Sequence, residues 1–296
     1  MDVSIIIVNY NTKDLLVDCI NSVYKQTKDL VFEIVVVDNN STDDSENTIK
    51  EKFPKVIFVQ SGGNIGFGKA NNLGVEKANG EYIFLLNSDT ILLNNAIFYF
   101  LNFARNNKNL NIGCLGTVLL DEDRNNTHSS ESFPSMRRII FEVINNYLKH
   151  FFHSPFKKER REFEESNFFE VDYITGADLF LSRELFRSLK GFDPMFFMYY
   201  EETDLQKQIS KLGLKRLLIK GAEIIHLEGG SNTAESFSAK RRIMITVSLF
   251  KYLKKNSFMP NYYIFRLVFF IIRLPILLDS RITYKDRKEY VYSLLK

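Results

Sequence analysis

Four short apolar runs, each closing on polar residues, constrain this chain more than any other feature of its first 90 residues. Residues 3–9 and 31–38 are near-continuous in Ile and Val, as strands buried on both faces are. Residues 56–60 and 81–87 read as further strands. Between the first two runs, Leu15, Leu16, Cys19, Ile20 and Val23 recur at helical spacing behind Thr12, a residue able to cap a helix. A second helix is expected over residues 66–78. Strands alternating with helices imply a parallel sheet with right-handed crossovers. Such sheets bind ligands beyond the carboxyl ends of their strands. Residues 9–11, 38–41 and 87–89 therefore fall where a ligand would sit.

The rest of the chain is less regular. Residues 121–135 are polar and turn-rich, and 150–165 mix charge with aromatics as a surface excursion would. Order returns over 171–182, followed by a helix at about 201–211, short strands near 214–219 and 222–226, and a helical stretch from 236 to 296. At 296 residues this suits one large α/β domain with an appendage, or two small domains, dividing near residues 120 and 235 ahead of a helical tail (236–296). Charge divides along a similar line. Residues 240–296 hold 13 Lys/Arg against 3 Asp/Glu, whereas residues 1–239 hold 26 against 33. A basic tail on a mildly acidic body suits an anionic surface, either nucleic acid or a phospholipid leaflet. The only cysteines, Cys19 and Cys114, form no Cys-x-x-Cys pair. That argues against a disulfide framework or a thiolate zinc site and fits a reducing compartment. The chain enters its first apolar run with no basic start and no cleavage site, so no signal peptide is expected.

Four clusters can carry chemistry. Asp38-Asn39-Asn40-Ser41-Thr42-Asp43 ends a buried strand and can contact a base or ribose, although Ser41 or Thr42 would equally cap a helix. Glycines and asparagines from Gly62 to Gly74 surround a helix start and suit close backbone approach to a ligand, but they form neither a Walker loop nor a dinucleotide fingerprint. Asn87-Ser88-Asp89 follows a strand too apolar to need polar residues for folding, so Asp89 is placed either to hold a divalent cation on phosphate oxygens or to make a turn. Glu201, Glu202 and Asp204 open a helix after the aromatic run 196–200. Acidic residues favour helix N-termini, but a carboxylate in a partly desolvated pocket is also a candidate general base. His226, closing a short strand, is a candidate ligand.

Order and spacing together resemble the family 2 glycosyltransferases of the GT-A fold, and most closely their rhamnosyltransferase-like bacterial branch. The matching stretches are residues 4–11, 35–43, 64–67, 70–74, 85–89, 175–177, 191–193, 200–205 and 226–231, in family order. The resemblance implies an α/β GT-A domain, a mostly parallel Rossmann-like sheet flanked by helices, with a helical C-terminal extension. It implies a nucleotide-diphosphate sugar donor contacted through Asn9, Tyr10, Asn11, Asp38, Asn39, Asn64, Gly66, Lys69, Asn72, Asn87 and Ser88. Thr175, Gly176 and Ala177 match an acceptor-side motif. Asp89 is the last carboxylate of the family's Asp-x-Asp metal motif, with Asn87 in place of the first, and His226 matches a second metal ligand. Glu202 falls at the catalytic position, although the longer Glu leaves Glu201 as an alternative base and Asp204 a third carboxylate nearby.

The expected activity is inverting transfer of rhamnose or another hexose to a hydroxyl of a glycan or lipid-linked acceptor, dependent on Mn or Mg, in bacterial surface polysaccharide assembly. A sugar-nucleotide-forming nucleotidyltransferase is disfavoured, because the first strand runs into Asn9-Tyr10-Asn11-Thr12 and not a Gly/Arg-rich triphosphate loop. A nucleic-acid-binding module is disfavoured by the carboxylates at 201, 202 and 204 and the lack of a recognisable motif. The tail segment 262–278 is apolar but only 17 residues long, holds Arg266 and Arg273 and is broken by Pro275, so it is too short to span a bilayer. Arg266 and Arg273 stand seven apart, on one helix face. The tail suits either packing, on the body or in a homodimer, or an interfacial anchor with its arginines at lipid headgroups. The expected location is cytoplasmic, peripheral at the inner face of the cell membrane.

Overall fold

The Ile- and Val-rich runs form β1 (Val3–Asn9) and β2 (Phe32–Asp38), followed by β3 (Ile57–Gln60), β4 (Tyr82–Asn87), β5 (Thr90–Leu92) and β6 (Ile112–Gly116). Further along come β7 (Ser130–Glu131), β8 (Phe168–Glu170), β9 (Tyr173–Ile174), β10 (Asp178–Ser182), β11 (Lys215–Ile219) and β12 (Ile224–His226). The helices are α1 (Lys13–Gln26), α2 (Ser45–Lys52), α3 (Phe67–Lys77), α4 (Ala96–Asn106) and α5 (Met136–Leu148). They continue as α6 (Arg183–Ser188), α7 (Glu201–Lys211), α8 (Ala239–Asn256), α9 (Met259–Arg273) and α10 (Tyr284–Leu295). This computed structural model describes residues 1–148, 166–227, 239–275 and 283–295; the expected excursion at 150–165 and the Glu228–Ser231 end of the His226 motif lie outside them.

The chain divides into two units. Among the described residues, 1–132, 166–197 and 201–227 form the first, and 133–148, 198–200, 239–275 and 283–295 the second. The first is built on an eight-stranded sheet in the order β3-β2-β1-β4-β10-β6-β11-β8. β1 pairs in parallel with β2 and β4, as do β2 with β3 and β6 with β11, whereas β10 runs against both its neighbours and β8 against β11. Successive strand residues face opposite sides. Ile5, Ile7, Ile34 and Val36 meet Leu16, Cys19, Ile20 and Val23 of α1, while Ile6, Val35 and Val37 meet Ala70 and Val75 of α3. Burial on both faces is why these strands carry no polar alternation. Cys19 and Cys114 are free and buried.

Two caps differ from expectation. Thr12 stands at the N-cap of α1, but its hydroxyl donates to Asn9 Oδ1 at 2.8 Å, and the Lys13 amide donates instead to Asp43 Oδ2 at 2.8 Å. Neither Ser41 nor Thr42 caps α2, whose N-cap is Asp44. The Ser41 hydroxyl oxygen accepts from Asn9 Nδ2 and from the Asn11 amide.

In the second unit, Phe250 of α8 sits edge-on to Phe265 and Phe269 of α9, and Ser248 Oγ donates to the Met198 carbonyl at 2.8 Å. Tyr199 and Tyr200 both hold φ near +70°, a conformation costly for a bulky side chain. Arg266 and Arg273 are not displayed outward as an anchor would require. Arg266 Nη2 donates to the Leu294 carbonyl at 2.6 Å and lies 4.8 Å over the Phe250 ring, and Arg273 lies 5.1 Å over Phe269.

Alanine normally gains about 1 kcal/mol over glycine inside a helix. At Gly74 in α3, however, a Cβ would stand 2.4 Å from Ile6 Cγ2 and 3.0 Å from Val37 Cγ2, both in the packed core. Overpacking of about 1–3 kcal/mol wins, so Gly74→Ala lowers the thermal midpoint by several degrees in calorimetry. Asp178 of β10 is fully buried; its Oδ2 accepts from the Thr117 amide at 2.7 Å while Oδ1 has no partner among the described residues. Desolvation therefore raises its carboxyl well above the ordinary range, outweighing the Thr117 hydrogen bond. A raised folded-state pKa contributes stability below the unfolded value that is lost as pH climbs. Asp178→Asn removes that loss, so the variant's midpoint relative to the parent rises between pH 5 and pH 8 as measured by thermal melts.

Candidate active site

Because β1, β2, β3 and β4 are parallel, Asn9, Asp38, Gln60 and Asn87 all emerge at one edge of the sheet. Asp38 is buried there: Oδ1 accepts from Asn9 Nδ2 at 2.8 Å and Oδ2 from the Ser41 amide at 3.0 Å. The buried Asn39 reaches across to the next loop, donating to Asn64 Oδ1 at 3.0 Å and accepting from the Ile65 amide at 2.9 Å. Asn11 Oδ1 accepts from the Thr42 amide at 2.7 Å, and Tyr10 is exposed beside it. Thr12 Oγ1 and Ser88 Oγ lie 2.9 Å apart, which extends the network to the turn after β4.

Gly66 opens α3 with φ near +88°, and a Cβ there would stand 2.2 Å from the Phe197 carbonyl, so only glycine fits. That carbonyl accepts from the Phe67 amide at 3.0 Å. Lys69, in the first turn of α3, is exposed. Asn72 is employed differently from a ligand contact: its amide donates to the Phe192 carbonyl at 2.8 Å and accepts from the Phe192 amide at 2.9 Å.

Asp89 follows β4 at the same edge and is buried. The antiparallel pairing of β12 with β5 sets His226 opposite Thr90, and the Leu227 amide donates to the Asp89 carbonyl at 2.9 Å. As a result His226 Nε2 lies 3.3 Å from Asp89 Oδ1, while His226 Nδ1 and Asn87 Oδ1 are buried with no partner among the described residues. One carboxylate and one imidazole at this separation fit two neighbouring ligands of a small divalent cation, each about 2.1 Å from it. Among the described residues no group of three or more His, Cys, Asp or Glu side chains could hold a metal by itself. A cation here would therefore complete its coordination with phosphate oxygens and water, as Mg commonly does.

The candidate base approaches from the other side. β10 runs against β4, so the segment leading into β10 arrives at the edge where β4 leaves. The Ala177 carbonyl accepts from the Asn87 amide at 3.0 Å. A Cβ on Gly176 would stand 3.7 Å from both Glu202 Cγ and Phe67 Cε1. Thr175–Ala177 thus touches the Asn87 turn and Glu202 at once. Glu202 accepts from Thr203 Oγ1 at 3.2 Å, and desolvation raises its carboxyl above the ordinary range. Glu201 is buried, its Cβ and Cγ packed toward Gly68 of α3, and Asp204, also buried, accepts from Gln208 Nε2 at 3.0 Å.

The sequence reading passes over Gln206. Fully buried, it accepts from the Ile174 amide at 2.8 Å and donates to the Ile174 carbonyl at 2.7 Å, which fixes the residue immediately before Thr175. An amide on the same face as Leu205 and Ile209, where apolar spacing calls for a hydrophobe, is the signal that could have found it.

The profile described as glycosyl transferase family 2 matches residues 4–185, more than half of the chain. N-acetylglucosaminyl-diphospho-decaprenol L-rhamnosyltransferases of two Mycobacterium tuberculosis strains are 24% identical over 206 residues, which cover 65% of this chain and 66% of theirs. Among solved structures, GalNAc-T7 with UDP, GalNAc and Mn2+ aligns with a TM-score of 0.60 at 18% identity over 86% of this chain and 48% of its own. The mannosyltransferase PcManGT from Pyrobaculum calidifontis, in complex with GDP-Man and Mn2+, gives 0.56 at 16% identity over 99% and 74%. S. aureus TarS 1-349 gives 0.52 at 16% identity over 100% and 71%. These likenesses establish the GT-A fold. With the family profile running from β1 through β10 on that fold, the chain belongs to glycosyl transferase family 2.

Proposed function

We propose that this protein transfers a sugar from a nucleotide-diphosphate donor to a hydroxyl of a glycan or lipid-linked acceptor, with inversion at the anomeric carbon. The observation that carries the reading is the Thr175–Ala177 segment, bonded through Ala177 to the Asn87 turn and lying through Gly176 against Glu202. It sets a candidate cation site and a candidate base on either side of one short stretch. The names of the mycobacterial relatives support L-rhamnose as the sugar and a polyprenyl-diphosphate-linked glycan as the acceptor. A membrane-borne acceptor of that kind accords with peripheral contact between the basic tail and the inner leaflet.

The donor's base and ribose lie at the carboxyl ends of β1 and β2, near Tyr10, Asn11 and the Asp38–Asn39 turn, with its diphosphate toward Ser88 and Asp89. Asp89 and His226 would hold Mn or Mg, which when bound supplies positive charge to the diphosphate as it departs. Glu202 accepts the acceptor hydroxyl's proton at a carboxylate oxygen while the Thr203 hydroxyl holds Oε1 in place. The freed oxygen attacks from the face opposite the diphosphate, so one displacement inverts the centre. Desolvation raises the Glu202 carboxyl above the ordinary range. A base so desolvated is stronger than an ordinary glutamate, provided the pH keeps it ionised.

Donor hydrolysis and nucleoside-diphosphate binding, measured with and without Mn, test the assignment. Asp89→Ala lowers turnover about a thousandfold or more and leaves diphosphate binding indifferent to Mn, with the thermal midpoint nearly unchanged. Near-parental turnover would remove Asp89 from the cation site. Glu202→Gln lowers turnover by about 10²–10⁴-fold with donor affinity kept, and Glu201→Gln has a milder effect. Because the base must be ionised, kcat/KM of the parent falls on the acid side with an inflection above the ordinary Glu value of about 4.3. That limb disappears in Glu202→Gln. If Glu201→Gln proves the worse variant, the base is Glu201.

A further inference from the structure

α9 presents a face that a helix bathed in water would not carry. Tyr262, Phe265 and Phe269 are buried, and Arg266 and Arg273 lie over rings. The opposite face shows Ile264, Leu267 and Ile271, exposed to 63, 63 and 54%, at i, i+3 and i+7. Tyr263 and Leu274 flank them and are also exposed, and no charged side chain interrupts the row. Surface helices put polar residues there. At the turn into α9, the exposed Phe258 and Met259 follow Lys254 and Lys255, which end α8 with their side chains in solvent. No described helix is long and apolar enough to cross a membrane. The 15 residues of α9 would span only about 22 Å, short of a hydrocarbon core of about 30 Å.

We propose that Ile264, Leu267 and Ile271 form a stripe that lies in the plane of an anionic lipid leaflet, with Phe258 and Met259 dipping in at one end and Lys254 and Lys255 at the headgroups. The proposal rests on the reading of a membrane-borne acceptor and alters the expected mode of contact: the two arginines of α9 face away and the inserted face is uncharged. Charge selects the leaflet over a second copy of the chain. A two-fold dimer sets the same patch against itself. Residues 240–296, with 13 basic and 3 acidic residues, would then oppose their own excess, whereas anionic headgroups neutralise it.

The chain contains no tryptophan, so Leu267→Trp places a single reporter on the stripe. The full chain should co-sediment with phosphatidylcholine vesicles that contain phosphatidylglycerol and ignore pure phosphatidylcholine. On binding, the emission of the introduced indole should shift to the blue and be quenched by brominated acyl chains. Changing Ile264, Leu267 and Ile271 together to Ser should weaken vesicle binding about tenfold or more, with donor hydrolysis and thermal midpoint unchanged, since these side chains stand in solvent. If that variant binds like the parent, or the reporter stays in water while the protein sediments, the stripe is overturned and the membrane contact lies elsewhere. If the full chain ignores anionic vesicles at low salt, the membrane reading itself fails. A dimer that Leu267→Asp dissociates, with vesicle binding unchanged, would make the stripe a subunit interface and overturn the proposal.

Discussion

The buried Asp38 carboxyl is the interaction on which the ligand-facing edge depends. Its two oxygens accept from Asn9 at the end of β1 and from the Ser41 amide just beyond β2, so two strand ends become one rigid corner. From that corner Asn9 Oδ1 takes the Thr12 hydroxyl, and Thr12 meets Ser88, one residue before Asp89. Hydrogen bonds to charged groups are worth about 1.5–3 kcal/mol each, and a buried partner left unpaired costs as much again. Losing Asp38 would therefore remove two bonds that tie the end of β1 to the turn after β2 and leave Asn9 Nδ2 with only the Ser41 hydroxyl. An acidic residue at this strand end serves the fold whatever else it contacts.

The reversal of β10 supplies the other half of the site. A purely parallel sheet delivers only strand endings to its carboxyl edge, with each following loop leading away into a helix. A strand running the other way delivers its beginning there, and Thr175–Ala177 is that beginning. Gln206 then fixes Ile174 through both of its backbone polar groups. Asn87 and Glu202, far apart in the chain, come to lie against one short segment without depending on a long flexible loop.

Much of this was legible in the sequence because its causes are local. Double-sided burial makes β1, β2 and β4 continuous in apolar residues, and α7 begins and ends where its acidic start and apolar spacing place it. β6 was not foreseen: Ile112–Gly116 is five residues long and holds two glycines, a weak strand signal that only pairing with β10 and β11 rescues. The helix at Met136–Leu148 was also unforeseen, hidden among neighbours that are polar or densely charged. The spacing of Arg266 and Arg273 puts them on one face, and of the two uses open to that face, packing or headgroup contact, the rings of Phe250 and Phe269 show packing. Periodicity states which residues share a face, but only the Phe250 ring and the Leu294 carbonyl, distant in sequence, decide which way that face turns.

Glu201 and Glu202 are neighbours in sequence but take different places in the packing of α7. Consecutive helical residues point about 100° apart, so the register of α7 decides which carboxylate meets the site. Leu205 is fully buried, and Glu201, one turn earlier on the same face, is carried inward against Gly68. Gln206 holds Ile174, and Glu202, one turn before Gln206, meets Gly176, two residues beyond Ile174. The helix face bearing 202 and 206 therefore runs along the 174–176 segment, and the clamp that anchors this segment also sets the distance between it and the carboxylate. Shifting α7 by one residue to present Glu201 would expose Leu205 and break both bonds from Gln206, a cost of several kcal/mol on ordinary burial and hydrogen-bond values. The longer glutamate side chain gives Glu202 reach, but the buried amide one turn away gives it direction.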